Sequence, residues 1–302
     1  MVAPVAEVVR SRPLATLFMR RWSPAEWLPV AVAAAVFVLL FASPVSTLVR
    51  DWLHEDDANY GLLLFPVALW LAWRQGVLAD SRPETGAGSA IIAAAVLIRL
   101  LGAIASEFFT QRFSIWLAVL GIVVFCFGWR QVRHWWLALA ILLLAIPLPA
   151  LLINALAIPL QFRASSLGTF LIKWRHIPVR TDGNVIQIPN ATLFVAEACS
   201  GLRSLSALIA LGVLLSGLYL RTVPARLILV LLVLPIAILL NGVRIFLTAF
   251  LVYFVDPDLA GGMAHERQGL AMFVVAFAVL GGLTALAHLI EQRLTARTAA
   301  HE

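Results

Sequence analysis

The residues best suited to chemistry begin in the stretch AEACSGLRSL, residues 196–205, within a chain that is otherwise mostly apolar. Cys199 precedes a long apolar run, so we expect it near the N-terminus of a helix. Unpaired backbone N–H groups and the helix dipole stabilise a thiolate at such a position. Arg203, four residues later, shares the helix face and adds positive charge. Cys199 is therefore a candidate nucleophile, and the alternative is a small residue of a buried core.

A second candidate, Arg244, lies in the apolar stretch LLNGVRIFLTAF. A charged side chain inside a membrane span is costly and normally faces a cavity or a partner. Asn241 lies one turn earlier on the same helix face. We expect Arg244 to bind an anion or a developing oxyanion, and the alternative is a polar pair between helices. Arg99 is another charge within an apolar run and could pair with Glu107.

A third candidate, His265, lies in GGMAHERQG, where we expect a loop before the last apolar run. Histidine acts as a general acid or base near neutral pH, and a solvated loop histidine is the alternative. The string HERQ is half of a zinc-protease motif, but the second histidine is missing, so we predict no metal and no cofactor. Glu197 and Glu266 flank the candidates; they could orient a side chain, bind a basic peptide or form surface salt bridges.

The composition predicts an all-α polytopic membrane protein. Of 302 residues, 62% are hydrophobic and only 13% are charged, whereas a soluble domain carries about twice that charge. Several apolar runs reach about 18 residues, the length that crosses a bilayer as a helix. We predict about eight transmembrane helices, at 28–49, 60–74, 88–106, 113–129, 134–152, 201–220, 227–254 and 269–290. Pro147 and Pro149 should kink or end the fifth.

The arginines predict the orientation. Twelve fall on one side of the predicted spans, namely Arg10, Arg12, Arg20, Arg21, Arg74, Arg82, Arg130, Arg133, Arg221, Arg226, Arg293 and Arg297. Three fall in the short loops of the other side, namely Arg50, Arg112 and Arg267. The positive-inside rule therefore predicts that the first side, with both termini, is cytoplasmic. Because these arginines are scattered between apolar runs, the net charge of +6 fits anionic membrane lipid and not nucleic acid.

The predicted organisation is one integral-membrane domain over residues 1–302, with cytoplasmic segments at 1–27 and 291–302. A long outer segment covers 153–198. Its first part, QFRASSLGTFLIKW, has the mixed polarity of an interfacial or re-entrant helix. Its second part predicts an extracytoplasmic β-hairpin with a turn at Asp182-Gly183, followed by another turn at Pro189-Asn190. Because an isolated hairpin is marginally stable, it should lean on the helices as a lid.

Three candidates from distant positions are thus expected near the same membrane surface. Cysteine as nucleophile, histidine as proton carrier and arginine as oxyanion stabiliser would suffice for acyl transfer. One alternative is a transporter in which Arg99 and Arg244 line a pathway, which leaves Cys199 without a role. Another is a non-catalytic assembly factor of a polysaccharide export system. In that case, deletion of the hairpin should have a larger effect than substitutions at the candidate residues.

The same residues resemble the exosortase/archaeosortase family of integral-membrane sorting enzymes. The resemblance rests on VAEACSGLRSL at 195–205, NGVRIFLTAF at 241–250 and the later His265. The segment IPVRTDGNVIQIPN at 177–190 is also similar to the family, and the likeness extends over about 55–275.

This resemblance implies a cysteine transpeptidase or protease. It implies that Cys199 is the nucleophile and that Arg244 and His265 are essential. From their positions in the sequence, we expect Glu197, Arg203, Asn241 and Glu266 to be supporting or substrate-binding residues. The implied substrates are secreted proteins with a C-terminal PEP-CTERM-like signal: a Pro-Glu-Pro-like motif, one transmembrane helix and a basic tail. The implied product is a protein passed to a surface acceptor of unknown identity, in cells that make exopolysaccharide.

Overall fold

The computed structural model describes residues 11–12, 24–55, 58–183, 185–189, 191–194, 201–256, 259 and 262–299. The helices of this part are α1 Pro24–His54, α2 Tyr60–Gln75, α3 Thr85–Ile104, α4 Phe108–His134, α5 Trp136–Leu144, α6 Ala150–Trp174, α7 Gly201–Tyr219, α8 Val223–Phe254 and α9 Gly262–Ala299. The strands are β1 Ser11–Arg12, β2 Val77–Leu78, β3 Arg180–Asp182, β4 Val185–Ile188 and β5 Ala191–Phe194.

Five helical stretches in the described part are long and apolar enough to cross a membrane. They are Ala34–His54, Thr85–Ile104, Phe108–His134, Val223–Phe254 and Arg267–Ala296. These match the first, third, fourth, seventh and eighth of the predicted spans. A multi-pass helical membrane protein is therefore confirmed, and the total of eight crossings stays a prediction.

The fifth predicted span differs from the structure. Pro147 and Pro149 lie between α5 and α6, and a proline removes a backbone N–H and disfavours helix in the residue before it. Helix α5 consequently has only nine residues, about 14 Å, which is too short for an apolar core of about 30 Å. The predicted boundaries 134–152 are wrong, because a new helix of 25 residues begins at Ala150 and takes in the whole of QFRASSLGTFLIKW.

The predicted hairpin is confirmed. Strand β4 pairs antiparallel with β3 on one side and with β5 on the other. Gly183, in the first turn, has φ of +58°, a left-handed conformation that glycine adopts without strain. Ile186 and Ile188 of β4 are buried in one cluster with Ile172 of α6 and Ile245 of α8. The sheet therefore leans on two helices, as its small size requires.

The chain divides into two compact units, Met1–Pro149 and Ala150–Glu302. In the second unit α6 runs parallel to α8. Gly168 of α6 contacts Ile245 of α8, while Leu160, two turns earlier, packs in the cluster around Val233, earlier in α8. Helices α7 and α9 run the opposite way beside α8. The C-termini of α6 and α8, the N-termini of α7 and α9, and strands β3–β5 therefore lie at one end of this unit, here named the sheet end.

At the other end of the second unit, a carboxylate ties α9 to the start of α8. Glu291 of α9 accepts hydrogen bonds from the backbone N–H of Arg221 at 3.0 Å and of Thr222 at 2.9 Å. The Thr222 hydroxyl also donates to it. These donors come directly before the first turn of α8, where N–H groups lack intrahelical partners. Glu291 thus caps α8 and helps to set the register of α9 against it.

Two arginines of the first unit are held by neighbouring helices. Arg112 of α4 forms a 2.7 Å ion pair with Asp51 of α1. Arg99 of α3 donates through Nε to the carbonyl of Leu40 in α1 at 3.2 Å. Leu40 is four residues before Pro44, and the missing N–H of that proline leaves this carbonyl without its usual helical donor. Arg99 supplies a replacement donor.

Glu107, expected as a partner of Arg99, has another role. Its carboxylate accepts hydrogen bonds from the N–H groups of Phe109 at 3.1 Å and Thr110 at 2.5 Å, and so caps the N-terminus of α4. Burial alone would raise the pKa of Glu107. The Thr110 hydroxyl and these two N–H groups outweigh that effect, so the pKa is lowered from its ordinary value of 4.5.

Candidate active site

The structure locates some of the candidate residues fully and others only by their backbone. Arg244 and Asn241 lie on α8 with their side chains described. For Arg203 on α7 and for His265 and Glu266 on α9, the backbone alone is described. Cys199 and Glu197 lie outside the described residues. Helix α7 begins at Gly201, two residues after Cys199 in the chain.

A cavity lies among the four helices of the second unit. The cavity is partly open, and the empty space of about 640 Å³ at this place includes space outside its mouth. Its apolar wall comes from α6, α7, α8 and α9. Its polar side chains are Arg244 and Asn241 of α8 and Gln161 of α6. A guanidinium in such surroundings acts on a bound negative charge more strongly than it would in water, because the local dielectric is low.

The guanidinium of Arg244 reaches across from α8 to the backbone of α9. It lies over Gly269, where an added Cβ would be 3.3 Å from Nη2, 3.6 Å from Cζ and 3.7 Å from Nη1. These three distances are nearly equal, so the flat face of the guanidinium rests over the glycine.

His265 lies in a helix and not in the loop that the sequence predicted. Helix α9 begins at Gly262, so His265 and Glu266 fall in its first turns, and that prediction is wrong. The α9 residues that line the cavity include Gly269, Met272 and Ala276. Position 265 is four residues before Gly269, so it lies on the same face of α9 as these residues. His265 therefore occupies the register position one turn before the glycine on which Arg244 rests.

Two glycines bring α6 close to the part of α8 that carries Arg244. A Cβ at Gly242 would lie 2.7 Å from Leu167 Cδ2 of α6, and a Cβ at Gly168 would lie 2.6 Å from Ile245 Cγ2 of α8. Any larger residue at either position would push the helices apart. Close packing through small residues is the usual way in which membrane helices approach. Gly242, between Asn241 and Arg244, therefore lets α6 pack closely against this part of α8.

A polar contact joins α8 to α9 one turn from Arg244. Thr248 Oγ1 lies 2.7 Å from Gln268 Oε1 and 3.0 Å from the carbonyl oxygen of Arg244. Thr248 is buried. In a dry interior this contact links the backbone of Arg244 to the residue directly before Gly269, and it keeps the two helices in one register.

The fold places the three elements of the candidate site at the sheet end. Helix α7 begins there, two residues after Cys199. Arg244 lies in the last third of α8, which ends there, and His265 lies in the first turn of α9, which starts there. Among the residues that the structure describes, no group of three or more His, Cys, Asp and Glu side chains is arranged to hold a metal ion.

Sequence reasoning missed three residues of this site. Gln161 lines the cavity and is 8% exposed; its signal was a lone amide in the apolar run LAIPLQF. Gly269 follows His265 by four residues, a spacing that has meaning only once α9 is known to start at Gly262. Gln268 has no distinguishing sequence feature, because its contact with Thr248 comes from helix packing.

The profile of the transmembrane exosortase family matches residues 52–282 of the chain. The match covers most of the first unit and nearly all of the second, including every candidate site residue. No curated protein and no solved structure matches the chain.

Proposed function

The chain belongs to the transmembrane exosortase family, and on that premise we propose that it is a membrane-embedded cysteine protease or transpeptidase with Cys199, Arg244 and His265 as its catalytic residues. Its substrates are secreted proteins that carry a C-terminal PEP-CTERM-like sorting signal. It cuts at that signal and transfers the protein to a surface acceptor, in connection with exopolysaccharide production.

One observation carries the proposal. Arg244 lines a cavity at the sheet end with its guanidinium on Gly269, one turn from the position of His265. An arginine placed there is suited to a negative charge that develops during a reaction. The N-terminus of α7, two residues after Cys199, belongs to the same end and favours a thiolate.

The proposed reaction has two steps. In the first, the Cys199 thiolate attacks the scissile carbonyl carbon, and Arg244 stabilises the resulting oxyanion. The C–N bond breaks, His265 protonates the leaving amine, and a thioester to Cys199 remains. In the second, an acceptor amine or water attacks the thioester carbonyl and gives its proton to His265; the C–S bond breaks and the Cys199 thiolate is released.

The remaining candidates support this chemistry. Asn241 lines the cavity one turn from Arg244 and is suited to hold a substrate carbonyl. We propose that Arg203 adds positive charge near Cys199, and that Glu197 and Glu266 bind or orient basic groups. The substrate's transmembrane helix docks from the lipid, and its extended motif lies beneath strands β3–β5.

We further propose that the chain is one integral-membrane domain with both termini in the cytoplasm. The sheet end then faces outward, where a secreted substrate and a surface acceptor are found. The distribution of arginines between the two sides of the predicted spans supports this orientation.

The test follows a tagged reporter in cells. The reporter is a secreted domain fused to a C-terminal segment with Pro-Glu-Pro, one apolar helix and a basic tail. It is expressed with wild-type chain, with Cys199→Ala or with Cys126→Ala, all at matched levels. Cys126 is the control because it is exposed on α4 of the first unit. We expect the wild type and Cys126→Ala to shorten the reporter, and Cys199→Ala to leave the precursor.

Two outcomes would contradict the proposal. Equal shortening with Cys199→Ala would exclude Cys199 as nucleophile and favour a transporter or assembly role, in which this thiol has no part. A precursor that persists with wild-type chain, across reporters built on several such signals, would show that the substrate class is wrong.

A further inference from the structure

We infer that Gly269 is a positioning residue for Arg244: without a side chain, it lets the flat face of the guanidinium lie against α9, and a methyl group there would press on the guanidinium and shift it. This inference rests on the proposed function for its consequence in catalysis. Its structural part, the contact between Gly269 and Arg244, can be tested without any assay of activity.

A methyl group at Gly269 would fit only tightly against Arg244. A Cβ at Gly269 would lie 3.3 Å from Nη2 of Arg244 and within 3.7 Å of Cζ and Nη1. The first of these distances is shorter than ordinary van der Waals contact. Because the three atoms are almost equally distant, the methyl group would push on the face of the guanidinium and not on its edge. The guanidinium would have to shift away from α9 by a few tenths of an ångström.

Helix α9 cannot easily move back to make that room. Thr248 of α8 contacts Gln268, the residue next to Gly269, at 2.7 Å. At the far end of the unit, Glu291 of α9 holds the backbone that leads into α8. With α9 held at both points, the strain of an added methyl group falls on the Arg244 side chain, which has several rotatable bonds.

The displacement matters because of where Gly269 lies. Position 265 is one turn earlier on α9, so the backbone that supports the guanidinium is continuous with the backbone that carries His265. One helix therefore sets the position of the oxyanion stabiliser and of the proton carrier together. A misplacement of about 1 Å in such an arrangement can cost about 100-fold in rate, so a shift of a few tenths of an ångström should cost roughly a few-fold.

The activity test compares alanine substitutions along one helix. Gly281 and Gly282 also lie on α9, and a Cβ at either would meet nothing within 4 Å. We expect Gly269→Ala to slow reporter processing by roughly a few-fold, and Gly281→Ala and Gly282→Ala to leave it unchanged. Equal processing by all three variants and the wild type would overturn the positioning role.

The second test measures thermal stability of the purified full-length chain in detergent and needs no substrate. Alanine favours a helix over glycine, so Gly281→Ala should raise the unfolding temperature. Gly269→Ala should give a smaller rise or a fall, because the methyl group pushes on Arg244. In an Arg244→Ala background that obstacle is gone, and Gly269→Ala should raise the unfolding temperature as Gly281→Ala does.

The two tests separate the possible failures. If Gly269→Ala shifts the unfolding temperature equally in both backgrounds, the contact is absent and the inference fails whatever the enzyme does. If the shift depends on Arg244 while the wild type processes no reporter, the contact stands and the proposed function fails. Arg244→Lys, which also removes the planar group, replaces Arg244→Ala if the alanine variant does not fold.

Discussion

Arginines inside apolar helices are used differently in the two units. In the first unit, Arg112 is 7% exposed and joined to Asp51 by a 2.7 Å ion pair. Arg99 donates to the carbonyl that Pro44 leaves free in α1. In the second unit, Arg244 lies over a bare glycine and lines a cavity. The first two join neighbouring helices, whereas the third lines a cavity among four helices.

The difference shows that the burial of a charge alone does not identify a functional site. All three arginines lie within long apolar helices, where a charge is costly and must serve some purpose. Arg99 and Arg112 form a hydrogen bond and an ion pair, respectively, with groups of the first unit. For Arg244 the neighbouring cavity is the feature that predicts a role toward a ligand, so substitutions of the three should separate stability from activity.

The largest effect is expected from Arg244→Lys. Lysine keeps the positive charge but lacks the planar group that lies flat on Gly269. We expect reporter processing to fall by about 100-fold, as for the loss of one oxyanion donor, while the unfolding temperature changes little. Arg99→Lys is the matched control, because a lysine ammonium can also donate to a single carbonyl, and it should leave processing unchanged.

Wild-type processing by Arg244→Lys would show that positive charge alone is needed at this position. The planar group would then not distinguish Arg244 from Arg99 and Arg112. A strong loss in Arg99→Lys with normal stability would place that residue in the site as well.

The next effect is on stability and concerns the ion pair between α1 and α4. Arg112→Met should lower the free energy of unfolding by about 2 kcal/mol, less than the cost of breaking a fully buried pair, because the side chain of Asp51 is 26% exposed. The double variant Asp51→Leu/Arg112→Met should recover most of that loss, since it leaves no unpaired charge. Unfolding in detergent by heat measures both.

A double variant as unstable as Arg112→Met would mean that the attraction between Asp51 and Arg112 stabilises the fold by more than the desolvation of the two charges costs. The contrast with Arg244 would be sharpened if Arg112→Met molecules that remain folded process the reporter at the wild-type rate.

The smallest effect is expected at Glu107, which caps α4 in the first unit. Glu107→Gln should lower the free energy of unfolding by about 0.5 kcal/mol. Because the pKa of Glu107 is lowered in the folded chain, its charged form stabilises the fold above the pKa of the unfolded state. That contribution is lost as the pH falls through the lower, folded pKa. The difference in unfolding temperature between wild type and Glu107→Gln should therefore shrink below about pH 4.

A difference that stays constant from neutral to acid pH would show that the carboxylate charge does not contribute to the cap. Processing of the reporter at neutral pH should be the same in both chains.

Features that depend on neighbours in the chain were predictable. The turn at Asp182-Gly183 follows from residues that tolerate a left-handed conformation, and the structure has it. The shared face of Asn241 and Arg244 follows from helical spacing, and both line the cavity. The start of α9 was not predictable in the same way. Gly261 and Gly262 resemble the end of a loop, and the polar residues after them hide the first turns of the helix.

Contacts between distant residues were not predictable. Glu107 caps its own helix and could be found by local reasoning, but Glu291 caps α8 from α9, which lies far along the chain. Pairing with Glu107, eight residues later in the chain, was the expectation for Arg99. Instead, Arg99 donates to a carbonyl in α1. In each case the partner depends on which helices become neighbours.

The sequence by itself determined the membrane class, the local turns and caps, and the residue types that could support acyl transfer, because each depends on composition or on spacing within a few residues. Only the tertiary structure decided that Arg244 rests on Gly269, that Gln161 faces the same cavity, and that position 265 falls one turn away. The physical reason is that periodicity specifies which face of a helix is used. The register of one helix against another depends on the close packing of side chains and glycines along their whole contact.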